Sequence, residues 1–112
     1  MQQASGSTNK RTEARKPANG RGRAVFADGN FADCTIIDIS VSGARIRLTR
    51  KSTLPSRFFL LDVKSRMVHA ASVAWQEGDY AGVRFEVSHV IGSALPPELD
   101  FMRKHWLECA MR

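Results

Sequence analysis

Arg11 and Arg15 stand four residues apart in a basic stretch, and Asp38, Ser40 and Gly43 follow about one strand later. Arginine presents a planar fork of donors suited to phosphate oxygens. It can also bond bidentately to the acceptor edge of a base, so neither arginine is tied to one ligand group. Asp38 can accept hydrogen bonds from the edge of a base, Ser40 can donate or accept, and Gly43 permits a positive φ or a close ligand approach. One half of this pattern holds an anion and the other identifies what carries it. The combination suits a compact, doubly charged nucleotide. Each half also has a plainer reading. Two arginines can sit in a solvated tail, and Asp-x-Ser-x-x-Gly can simply turn the chain between two strands.

Short strands would hold these residues in place. Cys34–Ile39 is a β-branched run suited to a strand. Ala44, Ile46 and Leu48 then alternate with Arg45, Arg47 and Thr49, the period of a half-buried strand. Further strands are expected at about Arg23–Ala27, Phe58–Val63, Met67–Gln76 and Tyr80–Val87. Phe58–Val63 is an apolar run broken only by Asp62 and suits a strand buried on both faces or at a barrel corner. Ala71, Val73 and Trp75 should share one side of their strand, and Val83, Phe85 and Val87 one side of the next. Strands separated by turns such as Asp28-Gly29-Asn30 and Glu77-Gly78-Asp79 indicate an all-β barrel or sandwich. The end of the chain differs. Leu99, Met102, Trp106 and Cys109 recur at helical spacing, and Pro96-Pro97 can open a helix, so Pro97–Ala110 reads as an amphipathic helix packed on the barrel.

The 112 residues are enough for one domain, with 43% hydrophobic and 25% charged residues as in a globular protein. The net charge is +6, and residues 1–23 carry Lys10, Arg11, Arg15, Lys16, Arg21 and Arg23 against Glu13 alone. A basic arm on a nearly neutral body points to an anionic partner at the arm. No apolar run is long enough for a membrane helix, and the opening residues are polar, unlike a secretory signal. Cys34 and Cys109 have no zinc or redox spacing and read as incidental thiols of a cytoplasmic protein.

Arg11-Thr12-Glu13-Ala14-Arg15 resembles the RxxxR motif of the PilZ domain, and Asp38-x-Ser40-x-x-Gly43 resembles its D/N-x-S-x-x-G motif. The order of later strands is similar too: Leu54–Phe58, then Val73-Ala74-Trp75, then Gly82-Val83-Arg84-Phe85. The likeness covers roughly residues 9 to 88. It implies an all-β fold, a small antiparallel PilZ-type β-barrel with a flexible basic N-terminal arm and a C-terminal α-helix. The organisation expected is a disordered leader at 1–9 and one PilZ-like domain at 10–112. Within it lie a ligand-clamping arm (10–22), the barrel (23–88) and the helix (96–110).

The function implied is that of a bacterial receptor for cyclic di-GMP with no catalytic activity and no cofactor. The ligand contacts would be Arg11, Arg15, Asp38, Ser40 and Gly43, with Trp75 stacking on guanine, although its alternation with Ala71 and Val73 equally suits a core residue. Lys10 stands where many family members have another arginine. It keeps the charge but loses the fork, which leaves open whether one nucleotide or a stacked pair is bound. The arm would close over the ligand and signal to an unidentified downstream protein, as single-domain members do in control of motility or surface attachment. Two other classes compete. A basic small barrel can bind single-stranded nucleic acid, but the strands lack the repeated exposed aromatics of a base-stacking platform. An enzyme is less favoured, since His69, His89 and His105 fall in dissimilar segments and no catalytic motif occurs. A PilZ-like adaptor that binds only protein is the third reading, and both motifs keep their defining residues against it.

Overall fold

The computed structural model describes residues 15–111. Six strands form a closed antiparallel barrel: β1 (Lys16–Val25), β2 (Phe31–Ile39), β3 (Gly43–Leu48), β4 (Arg57–Asp62), β5 (Met67–Glu77) and β6 (Tyr80–Val90). The order around the barrel is β1-β2-β3-β6-β5-β4, and β4 bonds back to β1 through Gly22↔Asp62 to Val25↔Phe59. Closure leaves no edge strand open to pairing with another chain. A 3-10 turn at Pro97–Leu99 then leads to helix α1 (Met102–Ala110).

Two apolar clusters follow from this arrangement. Ala24, Ile36, Ile46, Leu60 and Val83 fill the barrel interior. Val25, Leu61 and Val68 lie on the outer face, where Leu99, Met102 and Cys109 cover them. β4 therefore has an interior face (Phe58, Leu60) and a helix-covered face (Phe59, Leu61), which is why its sequence reads as a continuous apolar run. Truncating one of these fully buried leucines to alanine costs about 2–5 kcal/mol.

A polar pin joins helix to barrel. Arg23 is fully buried beneath α1, with Nε donating to Asp33 Oδ1 and Nη1 to Glu108 Oε1, each at 2.7 Å. Its guanidinium carbon lies 3.8 Å from the Phe31 ring centre. Nη1 also meets His105 Nδ1 at 3.1 Å, which requires that nitrogen to accept and places the His105 proton on Nε2. Arg21 Nη1 donates to the Cys109 carbonyl near the end of the helix, and Trp106 Nε1 donates to the Val63 carbonyl.

The local sequence reading misplaced some boundaries. β1 begins at Lys16 rather than Arg23, so residues 16–22 are barrel strand instead of arm. Pro17, Asn19, Gly20 and Gly22 look like linker residues, yet β1 pairs with β2 from Lys16↔Ile39 onward across an irregularity between Pro17 and Gly20. Asn19 takes a positive φ of 45° there. The expected helix from Pro97 is divided, because Asp100 and Phe101 separate the 3-10 turn from α1. Val87 is exposed although it was expected beside Val83 and Phe85. The pairing steps from Ala70↔Val87 to Ala71↔Phe85, so Glu86 is an extra residue that reverses the alternation. The leader at 1–9 and the arm residues Lys10 and Arg11 lie outside the described residues.

Candidate functional site

Two β-bulges set the geometry of the site. In β2, Ile36 faces the interior opposite Ile46, so strict alternation would turn Asp38 inward as well. The pairing instead jumps from Ile36↔Ile46 to Asp38↔Arg45, with Ile37 as the extra residue. One inserted residue moves every following side chain to the other face. Asp38 therefore emerges on the outer surface beside Arg45, and Ile39 returns to the core.

The same device acts on β5. Val73 pairs with Val83 and Trp75 with Gly82, so Ala74 is inserted between them. Trp75 is thereby turned away from Ala71 and Val73, contrary to the alternation in the sequence, and is 45% exposed on the outer face. Its indole lies against Gly82, where a Cβ would meet Trp75 Nε1 at 2.2 Å. Glycine at 82 leaves the ring room to lie across the strand.

Arg15 reaches the motif loop. Its Nη1 donates to Asp38 Oδ1 at 3.0 Å, while Arg45 Nη2 holds the other oxygen, Oδ2, at 2.9 Å. Asp38 is thus clamped between two guanidinium groups, one from each sequence neighbourhood. The arginines are about half exposed, so the Arg15–Asp38 bond contributes only about 0–1 kcal/mol and is readily exchanged.

Ser40 and Gly43 close the loop between β2 and β3. The Ser40 N–H donates to the Gly43 carbonyl at 2.8 Å, and its hydroxyl donates to the same oxygen at 3.3 Å. Ser40 spends both donors on the turn and keeps its oxygen lone pairs as acceptors. Gly43 does not have a positive φ. Its Cβ, were there one, would lie 2.2 Å from the Val83 carbonyl oxygen, so the close approach it permits is that of β6. This replaces the expectation of a left-handed turn at the glycine.

Arg15, Ser42, Gly43, Trp75 and Arg84 line one open groove of about 410 Å³. That volume falls in the range of small-molecule sites. Among the described members of the expected set, Arg15, Gly43 and Trp75 line this groove, Asp38 is joined to it through Arg15, and Ser40 lies in the turn before Gly43. Lys10 and Arg11 are outside the described residues. Sequence reading missed Arg45 and Arg84. The alternation of Arg84 with inward-facing Val83 and Phe85 was the available signal.

Neither His69 nor His105 lines this groove, although His69 packs against Phe85, which does. His69 is buried, stacked on Phe85 with ring centres 3.9 Å apart and bonded through Nδ1 to Ser88 Oγ at 2.7 Å. Burial lowers its pKa, with Asp62 opposing. His105 is lowered by burial and then by the adjacent Arg23. A recess of about 400 Å³ below β1 is lined by Arg21, Cys34 and Cys109 among others. Burial pushes the Cys34 thiol up to about 12, so it is not a reactive thiolate. No helix among the described residues is long and apolar enough to cross a membrane.

A family model described as the PilZ domain matches residues 9–92, most of the chain. The chain belongs to the PilZ domain family, whose members are binding domains that act as cyclic di-GMP receptors. No curated protein matches it.

Proposed function

We propose that this protein is a cyclic di-GMP receptor that binds its ligand on the outer face of β3, β6 and β5, without chemical turnover. The observation that carries the reading is the Arg15–Asp38 contact at 3.0 Å, which joins the two motifs beside the exposed Trp75. Asp38 accepts from guanine N1–H and the exocyclic amine. Trp75 offers the face on which that guanine stacks, Ser40 supplies an acceptor, and Gly43 lets the loop lie close to β6. Arg15, with Lys10 and Arg11, meets phosphate and guanine.

Binding is an exchange of partners. The guanine edge takes the place of Arg15 on Asp38, and Arg15 turns to the ligand while Arg45 continues to neutralise the carboxylate. The ion pair given up is weak, whereas each charge-assisted bond to ligand contributes about 1.5–3 kcal/mol. The displaced arm changes the charge and shape that a downstream protein senses, with control of motility or surface attachment as the output.

Isothermal titration with cyclic di-GMP, GMP, GTP and a single-stranded oligonucleotide series tests the reading. The expected result is a strong preference for the cyclic dinucleotide and a loss of about tenfold or more in Arg15→Ala and Asp38→Ala, with cooperative thermal transitions retained. Unchanged affinity in both variants removes the site assignment. Affinity that rises with oligonucleotide length and ignores the cyclic dinucleotide replaces the receptor with a nucleic-acid-binding barrel.

A further inference from the structure

Arg84 belongs to neither motif, yet the main chain fixes it beside both. Gly43 and Arg84 are paired across β3 and β6, and the Phe85 N–H donates to the Ser42 carbonyl at 2.8 Å. The base of the Arg84 side chain is therefore locked to the turn that carries Ser40 and Ser42, just after Asp38 at the end of β2. Gly82 and Arg84 both point outward, because Val83 and Phe85 between and beyond them face the barrel interior. Two residues along a strand on one face are separated by about 7 Å. Arg84 thus rises one strand repeat from the glycine that carries the Trp75 indole, between that platform and the loop.

Its charge is uncommitted. Arg15 and Arg45 are both bonded to Asp38, whereas Arg84 is exposed and makes no ion pair or side-chain hydrogen bond among the described residues. It lines the same groove as Arg15, Ser42 and Trp75. Arg15, Arg45 and Asp38 leave one net positive charge on this surface, and Arg84 supplies a second. A ligand with two phosphodiester charges is matched by that balance.

We infer that Arg84 is a ligand-contacting residue, its guanidinium meeting a phosphate of the dinucleotide whose base stacks on Trp75. The inference rests on the cyclic di-GMP reading above and adds a residue that both motifs omit. Asp38 takes the N–H edge of the guanine and Trp75 its face. The phosphate is the part of the nucleotide that carries charge, and Arg84 is a cation of the groove that has no partner among the described residues to leave. Arginine suits the task because its fork bonds two phosphate oxygens at once.

Titration calorimetry on the full chain with cyclic di-GMP, in low and high salt, separates this inference from the reading beneath it. Arg84→Ala is expected to weaken binding about tenfold and to flatten the salt dependence, while Arg84→Lys, which keeps charge without the fork, recovers part of the loss. The thermal midpoint should stay near that of the wild type, since an exposed side chain with no partner among the described residues is removed. If Arg84→Ala binds like the wild type while Asp38→Ala and Arg15→Ala lose affinity, Arg84 is a bystander and the receptor reading stands. If Arg84→Lys is as weak as Arg84→Ala and the salt dependence is unaltered, the phosphate contact is wrong. A wild-type chain that does not bind cyclic di-GMP overturns both.

Discussion

Gly43→Ala should destabilise the barrel itself, and not only its affinity for ligand. The added methyl carbon would stand 2.2 Å from the Val83 carbonyl oxygen and 3.4 Å from the Arg84 Cα. These are backbone atoms of the neighbouring strand, so no rotamer change relieves the contact. β3 and β6 must separate where Gly43 pairs with Arg84, beside the Phe85 N–Ser42 O bond. Overpacking of this kind costs about 1–3 kcal/mol, and a weakened or lost ladder bond adds about 1 kcal/mol. The expected total of about 2–4 kcal/mol corresponds to a fall of about 10 °C or more in the thermal midpoint of a domain this size. Urea and thermal unfolding of the ligand-free variant measure it directly. A variant as stable as the wild type that has lost only ligand affinity would overturn this account, because the glycine would then be reserved for the ligand.

Trp75→Ala should reduce affinity for cyclic di-GMP by an amount equivalent to about 1–3 kcal/mol, the contribution of one base stack, with Trp75→Phe retaining part of it. Titration calorimetry reads both, and equal affinity in all three proteins would place the base elsewhere. Arg23→Ala removes a fully buried side chain with two carboxylate bonds and should cost about 3–5 kcal/mol at most. Asp33 and Glu108 are partly exposed and regain water, so urea unfolding should show the lower part of that range, and Arg23→Met should be milder. Stability should also fall on acidification through about pH 6.5, the ordinary histidine value. His69 and His105 have lowered pKa values in the folded chain, so the unfolded chain binds more protons below that pH and unfolding is favoured there. Glu108, lowered by its Arg23 bond, is ionised in both states between pH 5.5 and 7.5 and adds no slope in that window. Urea midpoints across this window test the sign, and His105→Gln should flatten part of the dependence.

Local patterning alone was enough to set the class of fold. Period-two alternation in Ala44–Thr49, the two-faced apolar run of Phe58–Val63 and the helical stripe through Leu99, Met102, Trp106 and Cys109 each express a local rule about which side of an element is dry. Burial in the structure follows those rules. The motif residues were equally legible as residue types, because a guanidinium pair and an Asp-Ser-Gly loop advertise their chemistry wherever they lie. What the alternation could not state is which way Asp38 and Trp75 point. Each follows an inserted residue, Ile37 or Ala74, and a bulge exists only in the pairing of one strand with another. The early start of β1 had the same origin, since pairing with β2 outweighed Pro17 and the glycines. The clamp of Arg15 and Arg45 on Asp38, and the approach of β6 that reserves position 43 for glycine, likewise join residues far apart in the chain. Local chemistry chose the parts of the site, and cross-strand register decided which of them face the same water.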